Sequence, residues 1–182
     1  MFDRTVFDAV KAIRPSARGE LEITDAIQWL IDAGRTARPH VIEGWWKDTG
    51  KLEDLLEANR LVLDTLEARV EGEVEASEIH GKVIVGVGAK IVRSVIRGPA
   101  IIGKGAMIEN AYIGPFTAVG DQVVVRSSEV EHSIILEGSS ISDVAGRIES
   151  SLVGRNVVIY RSGSKPKSYN LMLGDRSQVG LV

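Results

Sequence analysis

Two short segments in the first fifty residues contain side chains that could bind a charged substrate. In the first, Arg18 precedes the sequence Gly-Glu-Leu-Glu, and in the second, Trp46 lies two residues before Asp48. A guanidinium group clamps phosphate with paired donors, and a carboxylate is a suitable ligand for a hard divalent cation. Both residues also have an ordinary explanation: Arg18 as an exposed loop arginine and Asp48 as the N-cap of a helix.

Aromatic and acidic residues next to these positions leave further alternatives open. Trp45 and Trp46 would point to opposite faces of an extended chain, so that one can be buried while the other lines a cleft. Glu20 and Glu22 would share one face of an extended stretch, although a solvated loop explains this pair equally simply.

The second half of the chain repeats an apolar pattern that predicts its architecture. Similar motifs begin at Ser94, Ala111, Ser133 and Ser151, which are 17, 22 and 18 residues apart. Between them, apolar residues recur at steps of about six, which is typical of a parallel β-helix built from hexapeptide repeats. The columns of inward-facing residues predicted from this spacing contain Val85, Ile91, Ile96, Ile102, Ile108, Ile113, Val119, Val125, Ile135, Ile141, Val153 and Ile159.

Glycine pairs in the repeats have a structural explanation. Gly86-Val87-Gly88 and Gly103-Lys104-Gly105 lack the strand–loop–helix context of a phosphate-binding loop. We therefore expect these glycines at β-helix corners, where a positive φ is required. His80, at the entry to the β-helix, and His132, at a corner between Glu131 and Ser133, are candidate general bases if the β-helix transfers acyl groups.

Composition limits the possible functions. With 22 basic and 25 acidic residues the net charge is −3, and no basic run suggests a nucleic-acid surface. There is no cysteine, so disulfides and thiolate metal sites are excluded, which fits a cytoplasmic protein. All three tryptophans lie in the first 46 residues and 14 of the 19 glycines in residues 81–182, which places a domain boundary near residue 70.

Residues 1–70 have the pattern of a small α/β segment. We predict one helix with Val6, Phe7, Val10 and Ile13 on one face, a second helix from Thr24 or Asp25 to Gly34, and an extended stretch from Pro39 to Trp46. A third helix, capped by Asp48 or Thr49, is expected to continue to about Arg69. The second helix is predicted to bury Ile27, Leu30 and Ile31.

The segments Pro15–Asp25 and Trp46–Gly50 closely resemble the sugar nucleotidyltransferases. The nearest group is glucose-1-phosphate thymidylyltransferase in its longer form, whose catalytic domain is followed by a left-handed β-helix. The resemblance implies a mostly β chain, with an α/β remnant of the nucleotidyltransferase domain at residues 1–70, a single-stranded left-handed parallel β-helix at 71–163, and a linker with a terminal strand at 164–182.

In this family, a sugar 1-phosphate oxygen attacks the α-phosphorus of a nucleoside triphosphate, and pyrophosphate leaves with the assistance of Mg²⁺. Glucose 1-phosphate and dTTP are the substrates implied for the complete enzyme. By resemblance, Arg18 contacts the sugar phosphate, Trp46 lines the sugar pocket and Asp48 binds the metal.

The family's Gly-rich nucleotide-binding loop is not found in these 182 residues. We therefore expect the chain to represent the C-terminal part of such an enzyme, to bind triphosphate and metal weakly at most, and to lack full catalysis by itself. The terminal strand is expected at Tyr169–Asp175, where it would cover the end of the solenoid.

Two other functions remain open at this point. The β-helix could be an acyltransferase that uses His80 or His132, or a non-catalytic scaffold for oligomerisation or regulation. For the scaffold, Phe116 and Met107 are expected to be exposed on the flanks, where they could pack in a homo-oligomer. Oligomerisation is compatible with nucleotidyl transfer.

Overall fold

A computed structural model describes residues 2–44, 46–174 and 177–180. The chain divides into two compact units, Met1–Trp46 and Lys47–Val182. Within the described residues, no helix is both long and apolar enough to cross a membrane.

Two short helices form the first unit, α1 (Val6–Ala12) and α2 (Ile23–Asp32). They pack through Ala9, Ala26 and Leu30, with Ile13 partly buried against this cluster. The predicted end of α2 is confirmed, because Gly34 has φ +77° and the Arg35 N–H donates to the Leu30 carbonyl at 2.9 Å.

Details of these helices differ from the predictions. Helix α2 begins at Ile23, since the Asp25 N–H already donates to the Glu22 carbonyl and closes the first turn. Thr24 and Asp25 are therefore inside the helix and do not cap it. Small residues form the contact between α1 and α2, so Phe7 and Ile31 are exposed instead of buried.

The extended stretch predicted from Pro39 to Trp46 contains no strand at residues 39–44 or 46, and Trp45 lies outside the described residues. A strand needs a neighbour for its backbone groups, and the first unit contains no strand among its described residues. Val41 and Ile42 are exposed as a result.

The second unit begins with α3 (Leu52–Asp64), which is shorter than predicted. Its N-cap is Lys51, not Asp48 or Thr49. After α3 ends at Thr65, Arg69 already belongs to the first strand of the solenoid.

Three parallel sheets form the walls of the solenoid, and each turn of the chain adds one strand to each sheet. The first sheet contains β1 (Arg69–Val70), β4 (Val83–Val85), β7 (Ala100–Ile102), β10 (Thr117–Val119), β13 (Ile134–Ile135) and β16 (Leu152–Val153). The second contains β2 (Glu73–Glu75), β5 (Lys90–Val92), β8 (Met107–Glu109), β11 (Val124–Arg126), β14 (Ser140–Ser142) and β17 (Val158–Tyr160). The third contains β3 (Glu78–His80), β6 (Val95–Arg97), β9 (Tyr112–Ile113), β12 (Glu129–Glu131) and β15 (Arg147–Glu149).

The aliphatic columns confirm the parallel β-helix, and the architecture agrees with the left-handed form that the resemblance implies. Ile91 is in register with Ile108, which is followed by Val125 and Ile141 in the next two turns. These four side chains are fully buried. Each turn therefore covers the apolar face of the next, and the core runs along the solenoid axis.

The register corrects one part of the predicted repeat. Ser94 and Ala111 precede strands of the third sheet, whereas Ser133 and Ser151 precede strands of the first. The 22-residue interval is thus one turn of 17 residues, from Ala111 to Ser128, followed by a step of five residues to Ser133.

A recurring hydrogen-bond pattern explains why these corners look alike in the sequence. Ser133 Oγ donates to the Glu131 carbonyl at 2.7 Å and accepts from the Ser151 N–H at 3.0 Å. Ser128 makes the equivalent bonds to Arg126 and Val144. The buried hydroxyl therefore joins one turn to the next where the strand ladder is interrupted.

Corner residues have the left-handed backbone that the glycine pattern predicts. Gly88 and Gly105 have φ +72° and +62°. Gly86 and Gly103 are required for a different reason: a Cβ at Gly103 would lie 2.5 Å from the Gly120 carbonyl carbon of the next turn. Close approach of two backbones, not positive φ, thus selects glycine at these two positions.

No strand is found in residues 161–174 or 177–180, so the terminal strand expected at Tyr169–Asp175 does not form in the described part of that segment. The apolar side chains of this tail are exposed.

Candidate functional site

Arg18 lies in a tight turn that joins α1 to α2. The Ser16 N–H donates to the Glu20 carbonyl at 2.8 Å, and Gly19 follows Arg18 with φ +77°. The Arg18 N–H also donates to Ser16 Oγ at 3.2 Å. The motif is therefore a closed loop and not the extended stretch considered for Glu20 and Glu22.

Glu22 orients the guanidinium group. Arg18 Nη2 and Nε donate to Glu22 Oε1 at 2.7 and 3.1 Å, and Ser16 Oγ donates to the same oxygen at 3.0 Å. The hydrogen bond from Arg18, and then that from Ser16, lower the pKa of Glu22. The Arg18 side chain is nevertheless 73% exposed, so it can still reach an anionic ligand.

Trp46 is 73% exposed at the end of the first unit. Its indole therefore presents an apolar surface to solvent. Trp46 is thus not the buried member of the pair, and Trp45 lies outside the described residues.

Asp48 is in the second unit, in an exposed loop before α3. Lys47 Nζ lies 3.2 Å from Asp54 Oδ1, and the Lys51 N–H donates to Asp54 Oδ2 at 3.2 Å. Asp54 thus ties both ends of the loop to the first turn of α3. The capping role considered for Asp48 belongs to Lys51 and Asp54.

Helix α3 packs along one corner of the β-helix, a contact that the sequence did not predict. Asn59 Nδ2 donates to the Phe116 carbonyl at 3.0 Å, and the Arg60 guanidinium lies 6.0 Å from the Phe116 ring centroid. Lys82 Nζ donates to the Asp64 carbonyl at 2.9 Å. These contacts make α3 part of the β-helix unit and cover part of Phe116.

Phe116 is partly buried by these contacts, and Met107 is partly buried beside Arg126, so neither is the exposed flank residue expected from the sequence. The only hint available beforehand was the apolar residue at a corner where glycine or asparagine is usual. Such a residue, held at φ +58°, suggests a packing partner outside the solenoid.

His132 is at a corner, with φ +45°, as predicted, but it is not freely exposed. Its ring packs edge-on against Phe116, with centroids 6.3 Å apart. Nε2 is buried and has no hydrogen-bond partner among the described residues. This nitrogen cannot reach a substrate, so the geometry argues against His132 as a general base.

His80 is exposed and lies 3.0 Å from Glu78, measured from Nε2 to Oε2. With Arg97, it borders an open groove of about 420 Å³ whose floor is formed by Gly81, Gly98 and Pro115. Of the two histidines considered, only His80 is accessible.

The described residues contain no group of three or more His, Asp or Glu side chains that could hold a metal ion. Asp48 supplies a single carboxylate, whereas Mg²⁺ is bound through one or two carboxylates together with substrate phosphates. The residues described here therefore do not fit a complete magnesium site.

Comparison with known proteins supports the resemblance. Residues 1–65 match the family model described as Nucleotidyl transferase. Glucose-1-phosphate thymidylyltransferase of Streptomyces griseus is 52% identical over 179 residues, which cover 98% of this chain and 50% of the relative. The enzyme of the same name from Streptomyces antibioticus gives the same identity and coverage.

A low-salt glycan biosynthesis nucleotidyltransferase of Haloferax volcanii is 44% identical over 185 residues, covering 100% of this chain and 52% of the relative. The chain thus spans about half the length of the curated relatives it matches. Both the helical unit and the β-helix fall within the aligned region.

Proposed function

We propose that this chain, a homologue of glucose-1-phosphate thymidylyltransferases over almost its whole length, forms the C-terminal part of an enzyme that joins a sugar 1-phosphate to a nucleoside triphosphate and releases pyrophosphate. Glucose 1-phosphate and dTTP are the proposed substrates. The observation that carries the proposal is the 52% identity to a glucose-1-phosphate thymidylyltransferase over 98% of the chain.

Arg18 is proposed to contact the sugar phosphate and Trp46 to line the sugar pocket. Support comes from the exposed guanidinium held by Glu22 and from the exposed indole. Glu22 accepts from the Nε proton and from one Nη2 proton, so both Nη1 protons and the second Nη2 proton remain available for phosphate oxygens among the contacts described.

Asp48 is proposed as one ligand of Mg²⁺, with the other ligands supplied by substrate phosphates and by residues outside this sequence. We assign no step of the reaction to the metal, because the described residues do not form its site. The proposed division places the nucleotidyltransferase remnant at residues 1–70, the β-helix at 71–163 and the tail at 164–182, and a cytoplasmic location is part of the same proposal.

A chimera tests the function. The half of the Streptomyces griseus enzyme that this chain does not match is fused before residue 2, and pyrophosphate release is measured with glucose 1-phosphate, dTTP and Mg²⁺. We expect activity from the chimera and little from the 182-residue chain alone. A chimera with the circular dichroism of an intact β-helix that releases no pyrophosphate, with any sugar 1-phosphate and any triphosphate, contradicts the proposal.

Arg18→Gln in this chimera should raise KM for the sugar 1-phosphate by about tenfold or more, since a charged hydrogen bond contributes about 1.5–3 kcal/mol. Arg155→Gln is the matched control, because Arg155 is 68% exposed and pairs with Glu137 on the β-helix. Equal changes in KM from the two substitutions would show that Arg18 does not contact the sugar phosphate. If the chimera does not fold, the 182-residue chain itself is titrated with glucose 1-phosphate while its tryptophan fluorescence is measured. Trp46→Phe should then abolish the change in fluorescence.

A homo-oligomer formed through the β-helix is the proposed assembly. Its support is the outward column of the first sheet, which is apolar from turn to turn (Ile84, Ile101, Ala118, Ile134 and Leu152). The corresponding column of the second sheet contains Glu75, Val92, Glu109 and Arg126. Light scattering of the chain tests the proposal, and a monomer at high concentration contradicts it.

Acyl transfer by the β-helix is the second candidate, and the accessible His80–Glu78 pair beside a groove is the observation that favours it. A carboxylate that orients a histidine is a common feature of general bases. His80→Gln should then abolish acetyl transfer to sugar phosphates. Absence of any transfer by the unmodified chain excludes this function.

A further inference from the structure

The last turn of the β-helix lacks one of its three strands. Among the described residues the first and second sheets have six strands each, whereas the third has five and ends at β15. Strand β17 belongs to the second sheet, and no strand follows it in residues 161–174 or 177–180. The edge of β15 therefore has a neighbour on one side only.

The core is open at the same end. Ile148 of β15, with Val144, Val157 and Ile159, is only partly buried against the core. The equivalent aliphatic residues one turn earlier, Val130 and Ile141, are fully buried. An apolar strand placed beside β15 would cover this end and pair with its backbone groups.

The chain directly after β17 cannot supply that strand. Residues 161–168 (Arg-Ser-Gly-Ser-Lys-Pro-Lys-Ser) contain no aliphatic side chain to point into the core. Pairing with the preceding turn ends at the Arg161 N–H, which donates to the Ser142 carbonyl at 3.2 Å. The absence of an inward-facing residue thus explains why the solenoid stops here.

A suitable strand follows in the tail. Tyr169, Leu171 and Leu173 alternate along the chain, so they would share one face of a strand. In the single chain these residues are 69%, 52% and 56% exposed, and Met172 between them is 93% exposed. The tail is therefore not seated on its own solenoid.

We propose that residues 169–173 of one copy of this chain pair with β15 of a second copy and complete its third sheet. Each copy has both an open edge and an unseated strand, so a two-fold exchange satisfies both at once and closes the assembly. The exchange goes beyond the proposed catalytic function and does not depend on it.

Cysteine crosslinking with isotope-mixed chains tests the exchange, because the natural chain has no cysteine. Glu149→Cys and Met172→Cys are introduced together, and equal amounts of heavy and light chains are mixed, oxidised and digested. Disulfides joining residue 149 to residue 172 are expected in heavy–light pairs for about half of the product. Disulfides found only within one chain show that the tail folds back on its own solenoid, and overturn the exchange; so does an absence of disulfides.

Removal of residues 165–182 provides a second measurement. The shortened chain should keep the β-helix circular dichroism and should dissociate, by light scattering, at a protein concentration at which the full chain stays associated, because only the contact through the first sheet remains. Leu171→Asp should have the same effect, whereas Lys167→Asp, in the linker, should not. Equally strong association of the shortened and the full chain contradicts the tail exchange, and leaves the contact through the first sheet and the catalytic proposal unaffected.

Discussion

The two units of this chain differ in how they are held together. Within the described residues the β-helix buries 18 hydrophobic side chains in one continuous core, whereas the first unit buries three. Every turn of the β-helix also bonds to its neighbours through parallel strands. The first unit leaves Phe7, Leu21, Val41 and Ile42 exposed. A solenoid can thus be stable as a part, because each turn needs only its neighbours, whereas a layered catalytic domain needs elements distant in the chain.

The largest effect is expected from truncating a buried side chain in the aliphatic column of the β-helix, which leaves a cavity. Ile108→Ala should lower the free energy of unfolding of the β-helix by about 2–5 kcal/mol, because it removes a fully buried side chain. Urea unfolding followed by circular dichroism measures the change. Leu30→Ala in the first unit is the matched control and should leave the β-helix transition where it was. A comparable shift from both substitutions would mean that the units unfold as one.

The next largest effect is expected from adding a side chain where the backbones of successive turns lie close together. Gly103→Ala should destabilise the β-helix by about 3 kcal/mol, the upper part of the range for overpacking, since the new Cβ meets the backbone of the next turn. Gly105→Ala, with φ +62° and only the Gln122 side chain nearby, should cost about 1 kcal/mol. The same unfolding experiment would reject the close-contact argument if Gly105→Ala were the more damaging change.

Loss of a corner hydroxyl should have a smaller effect. Ser133→Ala leaves the Ser151 N–H without its partner and should cost about 1–2 kcal/mol, the lower part of the range for an unpaired buried group. Thermal unfolding of this variant beside Ser162→Ala, an exposed linker serine, measures the difference. If both variants have the same unfolding midpoint as the natural chain, the serine hydrogen bonds do not stabilise the contact between turns.

The smallest effect is a titration in the first unit. Because the Arg18 hydrogen bond lowers the pKa of Glu22, this pair stabilises the first unit above the ordinary glutamate pKa, and the contribution disappears as the pH falls through the lowered value. NMR of the Glu22 carboxyl carbon should give a midpoint below about 4.3. Arg18→Gln should move that midpoint upward. An unchanged midpoint would show that the pair does not form in solution.

The predictability of the two regions follows the same physical difference. In the β-helix, the spacing of Ile96, Ile102 and Ile108 was enough to predict the core, because packing there is between adjacent turns. The motifs at Ser94 and Ser133 look alike in the sequence but lie at different corners, since the serine hydroxyl makes equivalent bonds at two corners of the triangle. In the first unit, the C-terminal end of α2 at Gly34 depends on local bonds and is predictable, whereas its N-terminal end is not. The buried face of α1 and the strand at Pro39–Trp46 depend on partners that the local pattern does not specify.

The candidate site shows the same limit. The motifs predict Arg18, Trp46 and Asp48 as site residues, but they do not reveal that Glu22 and Ser16 orient the guanidinium or that Asp54 takes the place of Asp48 at the start of α3. The packing of α3 on Phe116 joins residues 56 or 57 positions apart, in the Arg60–Phe116 contact and the Asn59–Phe116 hydrogen bond. Such contacts leave no periodic signal in the sequence.

Hydrogen exchange of the 182-residue chain tests the central claim most directly, namely that a self-sufficient β-helix carries a helical segment that is not. Backbone amides of the turns from Val83 to Val153 should exchange only with global unfolding, while amides from Val6 to Asp32 should exchange many-fold faster. Equal protection of the two regions would contradict this account.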